Sequence, residues 1–125
     1  MVLKPGSRPR ILIVEDDESC AAMYRHALRF AGFDVDVADD GLVALLTLEQ
    51  RRPALIVLDL ALPHLDGKSV LTEITARPEL HDIPVVIVTG SDTTVPASRA
   101  AAILRKPCDP DRLVDVVAHQ LDPAA

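Results

Sequence analysis

Aromatic residues are nearly missing from this chain: one Tyr, two Phe and no Trp in 125 residues. Any core must therefore be filled by Leu, Val, Ile and Ala, the usual filling of parallel sheets covered by helices. Cysteine is scarce as well. Cys20 and Cys108 are too few for a disulfide framework, so a reduced, cytoplasmic protein is expected. Excess positive charge is lacking: a formal net charge of -6 argues against general binding to nucleic acid or to an anionic membrane. No apolar run reaches the roughly 20 residues that a bilayer-spanning helix needs. Internal linkers, repeats and low-complexity tracts are absent too.

What remains is a chain that is 49% apolar and long enough for one domain with a substantial core. Residues 1–9 place Lys4 and Arg8 among Pro5, Gly6 and Pro9 without the apolar centre of a signal peptide, and read as a flexible leader. The domain is expected over residues 10–121, with a tail at 122–125.

Strand and helix patterns alternate throughout. An apolar strand at 10–14 is followed by a helix at 18–31, with Cys20, Met23, Ala27, Phe30 and Ala31 expected on one face and Gly32 as its stop. Residues 33–37 alternate apolar and acidic, the pattern of an edge strand with one dry side. Gly41 opens a helix carrying Leu42, Leu45, Leu46 and Leu48, which ends at Arg51-Arg52-Pro53. A buried-type strand at 54–58, a helix at 68–76 and a strand at 85–88 come next. After an Ala-rich stretch at 97–102 there is a brief strand, 103–104, and a last helix, 110–121, with Leu113, Val116, Val117 and Leu121 on one face. Such βα alternation predicts a parallel sheet with helices on both sides.

Chemistry collects where the strands stop. The residues following them are Glu15-Asp16-Asp17, Asp59, Thr89-Gly90 and Lys106-Pro107. In an open α/β sheet these meet at the C-terminal edge, where ligands bind. Carboxylates gathered there repel one another unless a cation joins them, and their hard oxygens suit Mg²⁺. A Lys supplies a point charge for a phosphate, a Thr hydroxyl a hydrogen bond. An aspartate beside a metal and a Lys can act as a nucleophile and become an aspartyl phosphate. Asp17 and Glu18 suit the start of the next helix and are left out of the site. Pro63, Asp66 and Gly67 read as loop shape, because Gly tolerates positive φ. The four His stand in unrelated contexts, which argues against zinc.

At these residues the chain resembles the receiver domain of bacterial two-component response regulators. The matching segments are Ile11–Asp17, Leu58–Gly67, Pro84–Gly90 and Lys106-Pro107, in the family's order. The resemblance implies a flavodoxin-like, doubly wound five-stranded sheet of order 2-1-3-4-5. It implies that Asp59 accepts a phosphoryl group from a histidine kinase, a phosphotransfer protein or a small phosphodonor. Asp16, Glu15, Asp59 and the backbone carbonyl of Ala61 would hold Mg²⁺, Thr89 would bond a phosphoryl oxygen, and Lys106 would pair with Asp59 and then with the phosphate. The Lys106–Pro107 peptide would be cis. Ala61 and Ser91 occupy positions where the family tunes the lifetime of the phosphorylated state.

Two departures stand out. Thr89 and Lys106 are 17 positions apart, closer than the family usually places them by more than one helical turn. Pro96 disfavours a helical Val95, so the helix between the fourth and fifth strands is expected to be short, distorted or absent. Ile103 stands where the family usually has an aromatic residue. The phosphorylation chemistry should survive both changes, whereas the usual output surface and dimerisation through it are put in doubt. The resulting expectation is a single-domain switch that is not an enzyme. It would signal through protein contacts to a downstream partner, with a phosphorylation-dependent homodimer as a further partner expectation, and without direct contact to nucleic acid or membrane. The alternative is a degenerate receiver that docks proteins regardless of phosphorylation. An Asp-based phosphohydrolase is disfavoured because Ala61 stands where such enzymes place a second Asp.

Overall fold

The computed structural model describes residues 8–62, 65–90 and 100–122. Its five strands are β1 (Arg10–Val14), β2 (Asp34–Ala38), β3 (Leu55–Leu58), β4 (Val85–Thr89) and β5 (Ala102–Arg105). They form one parallel sheet of order β2-β1-β3-β4-β5, the doubly wound arrangement expected. Four helices occur among the described residues: α1 (Glu18–Phe30), α2 (Gly41–Gln50), α3 (Gly67–Ala76) and α4 (Pro110–Leu121). The helix expected to be short between β4 and β5 would fall on residues 91–99, which lie outside the described residues.

Strand side chains alternate between two apolar layers, because successive Cβ atoms point to opposite faces. Leu12 and Val14 of β1, with Ile56 and Leu58 of β3, pack under α2 and α3, where Ala44, Leu48, Val70, Leu71 and Ile74 meet them. Ile11, Ile13, Leu55 and Val57 face the other way, onto Tyr24 and Leu28 of α1 and Leu113 and Val117 of α4. The central strands β1, β3 and β4 are buried along most of their length.

Each helix starts on an aspartate. The side chains of Asp17, Asp40, Asp66 and Asp109 accept hydrogen bonds of 2.8 Å from the amides of Cys20, Val43, Ser69 and Asp111. They satisfy donors that a helix N-terminus otherwise leaves unpaired. Gly32 ends α1 with φ 104, a conformation that costs a residue with a Cβ.

Two helical faces differ from the sequence expectation. On α1 the buried residues are Ala21, Tyr24 and Leu28, whereas Met23 and Phe30 are exposed, Phe30 at 90%. Periodicity alone weighed the purely apolar Met and Phe above Tyr, but the ring of Tyr24 is the side chain that fits between α1 and the sheet. On α2 the buried residues are Gly41, Ala44 and Leu48, with Gly41 set against Leu65 and Val70, which leaves Leu42 and Leu46 facing outward.

Gly67 is needed for a reason other than positive φ. A Cβ on it would lie 2.3 Å from the carbonyl oxygen of Asp59 and 2.4 Å from the Leu60 Cα, so α3 begins pressed against the backbone that carries Asp59. The Gly67 amide also donates to the Leu60 carbonyl at 3.0 Å. Gly67→Ala is expected to destabilise the fold by about 1–3 kcal/mol, as overpacking does. The usual helical gain from Ala over Gly, about 0.5–1 kcal/mol, has the opposite sign. Urea unfolding checks this, and an unchanged or higher midpoint would contradict it.

Candidate functional site

Parallel register brings the strand ends together. The Glu15 amide donates to the Ala38 carbonyl and the Asp59 amide to the Val14 carbonyl, each at 3.0 Å. Both acids therefore leave the sheet at the same level, one strand apart. Thr89 ends β4, and its carbonyl accepts the Lys106 amide at 3.0 Å as the chain leaves β5. The Lys106–Pro107 peptide is cis, as the resemblance implied.

The side chains converge on one point. Lys106 Nζ is 2.6 Å from Glu15 Oε1 and 3.3 Å from Asp59 Oδ2. The second oxygen of Asp59 accepts the Ala61 amide at 3.1 Å, and Glu15 Oε2 accepts the Asp17 amide at 3.3 Å. One carboxylate oxygen each from Glu15, Asp16 and Asp59 lies within 4.8 Å of the others. Glu15 and Asp59 are buried, Asp16 is exposed, and Thr89 is buried at the strand end. A cavity of ≈ 690 Å³ opens beside Glu15 and Asp16, between α1 and the end of β2.

The charges here depend on one another. Burial raises the pKa of Glu15 above its ordinary value, and the neighbouring Asp59 adds to the rise while Lys106 opposes it. Burial works against the charge of Lys106, but its hydrogen bond to Glu15 and the nearby carboxylates outweigh that, and its pKa is pushed up to about 12. Lys106 is thus an ammonium throughout the neutral range. Three carboxylates face this single ammonium, so the cluster retains negative charge when all are ionised. An all-oxygen, net-negative group with one solvent-facing member suits a hard divalent cation.

Of the residues singled out in the sequence for the site, Glu15, Asp16, Asp59, Ala61, Thr89 and Lys106 lie in this neighbourhood, and Ser91 lies outside the described residues. Glu15, Asp16, Asp59 and Lys106 meet side chain to side chain, Ala61 joins through its amide, and Thr89 is tied to the backbone of Lys106. Two features went unread in the sequence. Lys106 is closer to Glu15 than to Asp59, at 2.6 Å against 3.3 Å. Gly67 holds the backbone of Asp59 in place, a contact between segments that no local pattern signals.

Three measurements follow from these charges. Asp59→Asn keeps an acceptor for the Ala61 amide but removes a carboxylate from the crowd. In chelator it is expected to raise stability, because Asp59 is among the groups that push Glu15 toward its neutral form. A divalent cation should shrink that gain by binding the wild type, and a gain unaffected by cation would contradict the crowding account. Because the folded pKa of Lys106 lies above its ordinary 10.5, its stabilising contribution is complete below that value and lost as pH rises through about 12. Alkaline unfolding should show this loss in the wild type and lack it in Lys106→Met.

Comparison with known proteins agrees with the geometry. The response regulator receiver domain family matches residues 11–118. The transcriptional regulatory protein PrrA of Mycobacterium leprae is 42% identical over 84 residues, covering 67% of this chain and 35% of that protein. The DNA-binding response regulator MtrA of Mycolicibacterium paratuberculosis is 38% identical over 119 residues, covering 91% of this chain and 52% of that protein. The chain thus spans between about a third and a half of the length of these relatives. Among solved structures, the Mn²⁺-bound form of response regulator Rcp1 superposes with a TM-score of 0.77 at 30% identity, covering 94% of this chain and 97% of that one. With strand order and acidic cluster in agreement with that match, this chain belongs to the receiver domains of response regulators.

Proposed function

We propose that this receiver is a phosphoryl-accepting switch in which Asp59 takes a phosphoryl group from a phosphohistidine of a kinase or phosphotransfer protein. The observation that carries the reading is the placement of Asp59. Its buried carboxylate shares the ammonium of Lys106 with Glu15, and one of its oxygens lies within 4.8 Å of carboxylate oxygens of Glu15 and Asp16.

In the transfer an Asp59 carboxylate oxygen attacks phosphorus, the O–P bond forms, and the P–N bond to the imidazole breaks. The departing nitrogen keeps the electron pair and takes a proton. Glu15, Asp16, Asp59 and the Ala61 carbonyl are the groups that would hold Mg²⁺, and the Mn²⁺-bound relative Rcp1 supports a divalent cation in this family. What the cation supplies when bound is neutralisation of charge on the phosphoryl oxygens. The Ala61 amide steadies the nucleophile by holding one of its oxygens. Lys106, charged and beside Asp59, is placed to accompany the incoming phosphoryl oxygens, and the Thr89 hydroxyl would donate to one of them.

Phosphorylation adds about 1.5–2 negative charges at neutral pH, which reorders Lys106 and Thr89 around Asp59. Output then passes through contacts with protein partners. The domain assists its own phosphorylation and dephosphorylation rather than turning over a substrate, and its acidic surface does not itself grip nucleic acid. Two free cysteines support a cytoplasmic setting, and no described helix is long and apolar enough to cross a membrane.

Incubation with a small acyl-phosphate donor and Mg²⁺ should add the mass of one phosphoryl group to the intact wild type. Asp59→Asn should gain none, and chelator should block the addition. An unchanged wild-type mass, or equal labelling of the variant, would refute the proposal.

A further inference from the structure

Both cysteines stand where helices begin, on the same face of the sheet. Cys20 is in the first turn of α1, its amide held by Asp17, and Cys108 comes two residues before Pro110, the first of α4. Helices α1 and α4 pack against each other, and both cysteines belong to the apolar layer that these helices share. Helical geometry aims Cys20 into that layer. Glu18, Ser19, Ala22 and Arg25 border the cavity beside Glu15 and Asp16, and Cys20 lies on the opposite flank of α1.

Tyr24, one turn along α1, ties the two positions together. Its ring is buried. Burial raises the pKa of its hydroxyl, and Cys20, through a hydrogen bond and its charge, and Cys108, through its charge, add to the rise. Burial also pushes the Cys108 thiol up, with Asp109 and Cys20 adding to it. The two thiols differ in access. Cys20 is half-buried, whereas Cys108 is 9% exposed and its S–H donates to the Asp109 carbonyl at 3.6 Å. A small oxidant therefore meets Cys20 first, with Cys108 behind it. Only Pro107 separates Cys108 from Lys106, whose ammonium rests on Glu15 and Asp59.

We propose that Cys20 and Cys108 are an oxidisable pair, which a hydroperoxide joins into an intramolecular disulfide tying the start of α1 to the segment that carries Lys106. The Cys20 sulfur attacks a peroxide oxygen, the O–O bond breaks, and the leaving oxygen takes the thiol proton; Cys20 becomes a sulfenic acid. The Cys108 sulfur then attacks the Cys20 sulfur, the S–O bond breaks, and the hydroxyl leaves as water with the Cys108 proton. Two thiols are oxidised and one hydroperoxide is reduced. Among reducing surroundings such a bond is transient and opens to a thiol reductant. Its consequence for signalling rests on phosphoryl transfer to Asp59: Lys106 must leave Glu15 to follow the incoming group, and a tethered segment resists that movement.

Brief hydrogen peroxide treatment of the reduced full chain should lower its intact mass by two hydrogens, without linking chains. Peptide mapping should recover Cys20 and Cys108 in one linked pair, which dithiothreitol separates. Cys20→Ser should leave Cys108 a free thiol, and Cys108→Ser should stop at a Cys20 sulfenic acid that dimedone traps. A wild type whose Cys108 stays free after treatment, or whose cysteines link only between chains, overturns the proposal. With an acyl-phosphate donor and Mg²⁺, the oxidised wild type should label about tenfold more slowly than the reduced form. Cys20→Ser should label alike before and after peroxide. Equal rates for the two wild-type forms overturn the restraint on Lys106. Failure of the reduced chain to label counts against Asp59 as acceptor, and the linked peptide still decides the thiol pair.

Discussion

Lys106 Nζ bridges Glu15 and Asp59 at 2.6 and 3.3 Å, and the C-terminal edge of the sheet depends on that bridge. Two buried carboxylates side by side are costly, and a buried charge without a partner costs more than the pair it leaves. The ammonium arrives from β5, the glutamate from β1 and the aspartate from β3, so the balance exists only when those three strands share a register. The sheet therefore positions the charges, and the charges in turn penalise any register that separates them.

The same residue type performs two jobs in this protein, and surroundings sort them. Asp17, Asp40, Asp66 and Asp109 each accept an amide at the start of a helix and are held there by local geometry. Asp59 also accepts an amide, from Ala61, but it is buried and faces Lys106 and Glu15. The capping acids orient helices around the sheet, and Asp66 introduces the helix whose first residue, Gly67, rests on the Asp59 backbone. A methyl group at position 67 would displace the backbone that positions the Asp59 carboxylate.

Much of the site was legible because it lies at strand ends. Apolar runs stopping at Glu15, Asp59 and Thr89, with Lys106 after β5, mark positions that a parallel sheet must bring to one edge. The facing of the helices was harder to read. Helix α2 has apolar residues on nearly every side, so periodicity could not select Ala44 and Leu48 over Leu42 and Leu46. On α1 the choice of Tyr24 over Met23 and Phe30 depended on the shape of the space above β1 and β2. Small residues occupy buried positions where backbone approaches closely, and a count of apolar side chains undervalues them.

The sequence by itself determined the βα order, the parallel sheet, the acids and lysine of the site, and Asp17 at the start of the first helix. Each of these rests on local pattern or on strand direction. Only the tertiary structure decided that Lys106 favours Glu15 over Asp59, that Gly67 is pressed against the Asp59 carbonyl, and that an apolar stripe of α2 faces outward. Those depend on how separate elements pack against one another, and a linear pattern carries no such distances.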